Sequence, residues 1–448
     1  MADRTIALDD VPLNRFHIRV TAYSTGGMFC DGYILGIIGI ALSVWSPQVG
    51  MSSLWDGLIG ASALAGIFVG SLVFGPITDR VGRQTMYTAD LVAFVVASAA
   101  QFFVQEPWQL FALRLIMGIA VGADYAIGAA LLAEFLPRRQ RGPLMACLNA
   151  VWTFGYVAAY VVGYLLRDLG PDSWRWMLAS SAVPALIVLC LRLGTPESPR
   201  WLVGKGRVDE ARAIIHRYFG TNVMVPEPEP EEQRTSLREL FTKRWRLRTA
   251  FASIFWFAQV LPFFALFTFA PQVLGALGIK GELTGGLLTN GFQLIGAVVG
   301  VVIMNMLPRR LFLWVSFLVM AVCLGALAVV PNAPTALVLG SFAVFALVVS
   351  ASGNLETVYP SELFPTHIRA TAVGFAASMS RVGAAVGTFL LPLSLEHLGN
   401  RLTMLIATIV LVVGLVVTLA WAPETRTALL DTEYYEGEGH RKEVAGGR

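Results

Sequence analysis

Glu134-Phe-Leu-Pro137-Arg138-Arg139-Gln-Arg141-Gly142 is answered 228 residues later by Glu362-Leu-Phe-Pro365-Thr-His-Ile-Arg369-Ala370. Glu, Pro and Arg keep one spacing in both stretches, and each stretch closes a long apolar run. A second pair, Pro196-Glu197-Ser198 and Pro423-Glu424-Thr425, repeats at an offset of 227. Two motifs at nearly one offset mark a duplicated unit. Duplicated helical units are how secondary transporters enclose a site near the bilayer midplane, between two bundles that rock against each other.

Outward from these motifs the chain is apolar at membrane length, about 20 residues per crossing. Twelve runs are predicted as spans, near 18–45, 55–77, 85–105, 108–136, 143–166, 174–194, 248–275, 283–306, 312–331, 334–359, 371–396 and 400–421. The fold class is therefore all-α and integral to the membrane, with twelve helices as two six-helix bundles. Composition agrees. Hydrophobic residues make up 56% and charged residues only 14%, where a soluble domain carries about 25% charged. Mean hydropathy is +0.65. The first run is too long for a signal-peptide core and lacks a clear cleavage site, so it is expected to remain as the first helix.

Lys and Arg set the orientation. Of the 33, 26 fall on the side that also holds the central loop, including Arg80, Arg83, Arg138, Arg139 and Arg141. Four, Arg167, Arg175, Lys280 and Arg401, fall on the other, and Arg114, Arg192 and Arg381 lie within spans. This bias predicts a cell (inner) membrane protein with both termini cytoplasmic. The predicted division is 1–194 as the first bundle, 195–247 as a cytoplasmic linker, and 248–448 as the second bundle with a tail. Within the linker, 208–220 and 236–248 read as amphipathic helices, either on the inner membrane surface or as solvated tethers. The stretch 226–232, PEPEPEE, reads as an extended connector.

Some functions are disfavoured. A net charge of +3 gives no footprint for nucleic acid. Cys30, Cys147, Cys190 and Cys323 sit in apolar runs at no metal-binding spacing and read as packing residues. No nucleophile motif, metal cluster or phosphate loop is evident, so neither an enzyme nor a cofactor is expected. The expected partners are a small solute, protons and the lipid bilayer, with the chain as a monomer.

The loop Gly75-Pro-Ile-Thr-Asp79-Arg80-Val-Gly82-Arg83 resembles the signature loop of the major facilitator superfamily. Arg114-x-x-x-Gly118-x-x-x-Gly122, the Glu134/Pro137/Arg141 motif and Pro196-Glu-Ser-Pro-Arg-Trp201 resemble its sugar-porter side and the related organic-ion, phosphate and metabolite:proton symporters. The resemblance spans the chain. It implies a latch at the cytoplasmic helix ends, formed by Asp79, Arg80, Arg83, Glu134 and Arg141, with Glu362 and Arg369 as its counterpart. The second half departs from the pattern: Leu307-Pro-Arg-Arg310 has no Asp, which predicts a weaker second latch. Positive loops with incidental carboxylates are the plainer reading.

Ionisable groups inside spans cost a few kcal/mol and are usually paired or functional. Asp31 lies thirteen residues into its run, roughly 20 Å of rise. The resemblance implies that Asp31 pairs with Arg114 and carries the coupled proton; a static ion pair is the alternative. Asp124, in Gly122-Ala-Asp124-Tyr125, resembles the Gly-Asp-Tyr stretch of phosphate:proton symporters and is either a second proton carrier or a structural acceptor. Ten residues separate it from Arg114, about 280° of helix, so the two do not share a face. Arg381, in Ser380-Arg381-Val-Gly383, resembles an organic-anion position; a pair with Glu356 is the alternative.

Predicted solute contacts are Arg381, Tyr125, Asn149, Trp152, Tyr156, Trp256, Gln259, Asn290, Gln293, Asn354 and Glu356, in stripes that also suit plain helix packing. The Gln-rich seventh-span motif of sugar porters is reduced to Gln259, and the seventh span lacks the acid of phosphate symporters. Proton-driven uptake of a small organic anion, such as a carboxylate, is the expected function. A sugar or polyol symporter, a xenobiotic efflux antiporter and a solute receptor that does not transport are the rivals, in that order. The missing Gly-Pro of the fifth span counts against the antiporter.

Overall fold

In lipid, backbone amides are satisfied most simply within a helix, and each apolar run folds that way. The computed structural model describes residues 6–226 and 237–425. Most of the PEPEPEE connector, Arg4 and the basic tail lie outside the described residues. At Asp79, Glu134, Arg138, Arg139, Arg141 and Cys147 only the backbone is described, so the first predicted latch falls outside the described side chains.

The first half holds α1 (Arg15–Val49), α2 (Ser53–Val81), α3 (Arg83–Ala100), α4 (Pro107–Phe135), α5 (Arg138–Leu166), α6 (Ser173–Ala179) and α7 (Ala182–Arg192). Two short helices follow in the linker, α8 (Pro199–Gly204) and α9 (Val208–Tyr218). The second half holds α10 (Arg246–Thr268), α11 (Ala270–Ala276), α12 (Glu282–Met306), α13 (Arg309–Val329), α14 (Thr335–Gly353), α15 (Leu355–Leu363), α16 (Thr366–His397) and α17 (Gly399–Trp421). Twelve crossings result, because α6–α7, α10–α11 and α14–α15 are each one span with a break. The only non-helical pairing among the described residues is a bridge between Ile6 and Val223.

The breaks have local causes. Pro184 offers no amide to the Ser180 carbonyl, and the Ser180 and Ser181 hydroxyls turn back onto the Met177 and Leu178 carbonyls. Pro271 opens α11, where a missing amide costs nothing. The predicted helix at 208–220 is present as α9, but 236–248 is not a surface helix. It is a 3-10 turn, Leu237–Phe241, followed by the start of α10. Leu240 and Trp245 are buried there, and the Thr249 hydroxyl donates to the Leu240 carbonyl at 3.0 Å.

Close approach within each half depends on small residues. A Cβ at Gly118 would lie 2.1 Å from the Ala63 carbonyl oxygen, and one at Gly122 would lie 2.5 Å from that of Ile67. The Arg114-x-x-x-Gly118-x-x-x-Gly122 motif is thus the face on which α4 meets α2.

The halves meet along α2 with α16, α5 with α12, and α1 with α10 and α11. These contacts are tightest away from the linker. Gly39 of α1 abuts the Thr268 carbonyl, Gly57 of α2 abuts that of Phe389, and the Tyr164 and Thr284 hydroxyls stand 3.5 Å apart. On the linker side Asn149 of α5 is exposed and reaches across to Asn354 at 3.4 Å. The close backbone contacts between the halves among the described residues therefore lie on the side away from the linker.

Candidate functional site

The site lies where α1, α4 and α5 face α10, α12, α14–α15 and α16. Trp152 and Tyr156, one turn apart on α5, stack at 5.6 Å. Phe263 and Phe264 of α10 pack against Trp152 at 6.4 and 6.1 Å. Tyr160 of α5 sits against Gly286 of α12. The two helices run antiparallel, so one turn towards the linker brings Tyr156 level with Asn290, and the next brings Trp152 level with Gln293.

Trp152 lies beside the Tyr125 hydroxyl and Tyr156 beside the Thr268 side chain, while Gln259 Oε1, Asn290 Oδ1 and Gln293 Oε1 are buried here without a hydrogen-bond partner. Their other ends are anchored. The Gln259 amide donates to the Ser352 hydroxyl at 3.0 Å, and the Asn290 amide donates to the Gly286 carbonyl at 2.8 Å. Buried polar groups are nearly always satisfied, so these atoms make the stripe a candidate surface for a solute.

Two opposite charges stand in the same cleft. Glu356 accepts from Trp256 Nε1 at 2.8 Å. Arg381 is half-buried, lies 5.0 Å over the Tyr125 ring, and has no hydrogen bond or ion pair among the described residues. The suggested direct pair between Arg381 and Glu356 is thus not formed, although each lies within electrostatic range of the other.

Asp31 is 1% exposed and its Oδ2 is unpartnered. The implied ion pair with Arg114 is absent. Arg114 donates instead to the Ile34 carbonyl at 3.1 Å, leaving Nε and Nη1 unpartnered. The charged groups in range of Asp31 are Asp124, Asp90 and Arg381. Asp31 thus looks across the cleft to a cation of the other half, because Arg114 is drawn to a backbone acceptor one turn further along α1.

Asp124 packs against Gly27 of α1, where a Cβ would lie 2.7 Å from both Asp124 Oδ2 and the Tyr87 hydroxyl. Sequence reasoning passed over its neighbour Asp90 on α3, which is 6% exposed, and gave no role to Arg192, which is 1% exposed. Both were visible as charges in apolar runs, the signal that flagged Asp31.

At the linker side the second half does hold a charged cluster. Arg309 pairs with Glu362 at 3.3 Å, and the Thr425 hydroxyl donates to Glu362 at 2.5 Å. Glu362 does not pair with Arg369, which donates to the Phe364 carbonyl at 3.1 Å. In the second half Glu362 is thus met by Arg309 of α13 rather than by Arg369. Arg80 is exposed.

The Pro-Glu-Ser/Thr repeats gain a role the sequence did not reveal. Glu197 accepts from the Gln84 amide at 3.1 Å, at the start of α3. Glu424 accepts from the Arg309 and Arg310 amides at 2.9 and 3.1 Å, at the start of α13. In each half a carboxylate from beyond the last span caps the third.

Comparison with known proteins agrees with this architecture. The family described as "Sugar (and other) transporter" matches residues 18–433. The inner membrane metabolite transport protein YgcS of Escherichia coli is 44% identical over 421 residues, covering 94% of each chain. The putative metabolite transport protein YaaU of the same organism is 40% identical, covering 93% of this chain and 94% of its own. The inward-open structure of the xylose transporter XylE from E. coli superposes with a TM-score of 0.78 at 22% identity, covering 94% of this chain and 99% of that one. Sequence, twelve-span fold and relatives converge: the chain belongs to the sugar (and other) transporter family of the major facilitator superfamily, and it is a multi-pass membrane transporter rather than an enzyme.

Proposed function

We propose that the chain is a proton-coupled symporter that takes up a small organic anion. One observation carries the reading. Arg381 stands half-buried without a bonded partner among the described residues, within electrostatic range of both Asp31 of the first half and Glu356 of the second. A guanidinium in that position is a natural partner for a carboxylate. While Asp31 is ionised it competes with the solute for Arg381. Once Asp31 takes a proton, the cation is released to the solute, and the two loads bind together. The polar atoms of Trp152, Tyr156, Gln259, Asn290 and Gln293 would hold the rest of the solute, with Asn149, Tyr125, Trp256 and Asn354 at its edges. Arg114, with two free donors, is a second cation for Asp31 when the halves move.

The same reading places residues 1–194 and 248–448 as the rocking bundles, 195–247 as the cytoplasmic linker, and both termini in the cytoplasm. The linker-side clusters serve as latches, from Arg80, Arg83 and the Arg309–Glu362 pair. Proton coupling is also carried in the name of a relative, the arabinose-proton symporter of Bacillus subtilis, 26% identical. A niacin transporter of Acinetobacter baylyi, 25% identical, shows that acids fall within the relatives' range. Relatives named for glucose and xylose keep a neutral sugar as the second reading.

Thermal-shift measurements on detergent-purified protein decide between them, using a panel of aliphatic carboxylates, aromatic acids and sugars. Acids raise the melting temperature of the parent, and Arg381→Ala erases that rise. Stabilisation by sugars alone, unchanged in Arg381→Ala, rejects the anion reading.

A further inference from the structure

A polar cluster inside the first half remains unexplained by the solute cleft. Asp90 of α3, Asp124 of α4 and Arg192 of α7 are 6%, 3% and 1% exposed. Asp90 Oδ2 and Arg192 Nε are buried without hydrogen-bond partners, and Asp124 meets the Tyr87 hydroxyl. A purely structural cluster in lipid would be expected to satisfy these atoms, since each orphan is costly.

The cluster is graded in depth. The rings of Phe16 on α1 and Phe135 on α4 touch at 5.2 Å and give a common base at the linker side. Asp31 is fifteen residues above that base and Asp124 eleven, or roughly 22 and 16 Å. Asp124 therefore sits about one turn closer to the linker than Asp31, with Asp90 beside it within electrostatic range. Below them Arg192 lies over the Tyr87 ring, donates to the Tyr87 carbonyl at 3.1 Å and reaches Gln84 Oε1 at 3.3 Å. The Gln84 amide meets Glu197, which is half-buried at the linker-side end. A line of titratable and charged groups thus runs from the midplane to the linker face, inside one half.

We infer that Asp90 is a further proton-carrying residue, and that protons leave Asp31 by way of Asp124 and Asp90, past Arg192, by a route separate from the solute cleft. The inference rests on the symport reading. In each step the acid becomes a carboxylate and its neighbour becomes the acid, and Asp90 finally gives the proton to water at the linker side. Arg192 balances the carboxylate left behind and stands between the route and the surface. The titratable and charged groups within electrostatic range of Asp90 are Asp124 of α4, Arg192 of α7, Tyr87 one turn away on α3, and Asp31 and Cys30 of α1.

Infrared difference spectroscopy of the full chain in lipid, taken across roughly pH 5 to 9, reads protonation without a solute. The parent should show carboxylic-acid C=O bands that come and go with pH. Asp90→Asn should remove one component, and Asp90→Glu should move it to a new frequency. A spectrum of Asp90→Asn that superimposes on the parent overturns the inference. Should Asp90→Asn fail to fold, Asp90→Glu decides alone: a shifted component supports the route and an unshifted spectrum overturns it. Asp31→Asn separates the two readings. If it changes nothing while Asp90→Asn removes a band, the symport role of Asp31 fails. If it removes a band while Asp90→Asn does not, only the Asp90 route fails.

Discussion

Residue by residue, the decisive groups are those that stay polar where lipid is the solvent. Asp31 is the sharpest case, buried and facing no bonded cation. In proteoliposomes, Asp31→Asn should abolish accumulation driven by a proton gradient while leaving solute exchange within about twofold, since the amide cannot cycle a proton. Accumulation at the parental level in that variant removes Asp31 from the coupling step. These positions were legible in the sequence because a charge inside an apolar run stands out alone. Their partners were not. Arg114 was matched to Asp31 by family likeness, yet a guanidinium has five donors and takes the nearest acceptor, here the Ile34 carbonyl. Arg381 is 350 residues from Asp31 in the chain, and only the folding of the two halves onto each other brings them into range.

At the scale of elements, glycine stripes and carboxylate caps hold each half together. Gly118→Val should cost about 3 kcal/mol or more, because both α2 and α4 present backbone at the contact and neither can retreat. Gly340→Ala, with nothing within 4 Å of the added carbon, should stay within about 1 kcal/mol of the parent. Melting curves of the detergent-purified variants measure both. Glu197→Ala and Glu424→Ala should each lower stability by about 1–2 kcal/mol, read the same way, through loss of a charged cap on α3 or α13. Element existence was readable from apolar run length alone. The breaks in the sixth, seventh and tenth spans were not, because hydropathy averages over the single Pro, Ser or Asn that interrupts a helix. The amphipathic helix expected at 236–248, on the membrane surface or as a solvated tether, is not formed: Leu240 and Trp245 are buried within the protein.

For the whole molecule, the duplication seen first as two short motifs becomes two helix groups in contact mainly away from the linker. A pair of cysteines introduced by Tyr164→Cys and Thr284→Cys, whose parent hydroxyls meet across the seam at 3.5 Å, should be bridged by a short bis-methanethiosulfonate reagent that spans the lost tyrosine ring and stop transport, with reduction restoring it. Cross-linking that leaves transport untouched would show that this seam does not open. Glu197 and Glu424 carry one consequence for biosynthesis. Each arrives just after the last span of its own half and closes onto that half's third span. The first half thus completes its own fastening once residue 197 is made, while the second is still being synthesised. Two polypeptides, 1–226 and 237–448, expressed together should therefore find each other in the membrane and co-purify as one transporter, the order of assembly being written into the repeat itself.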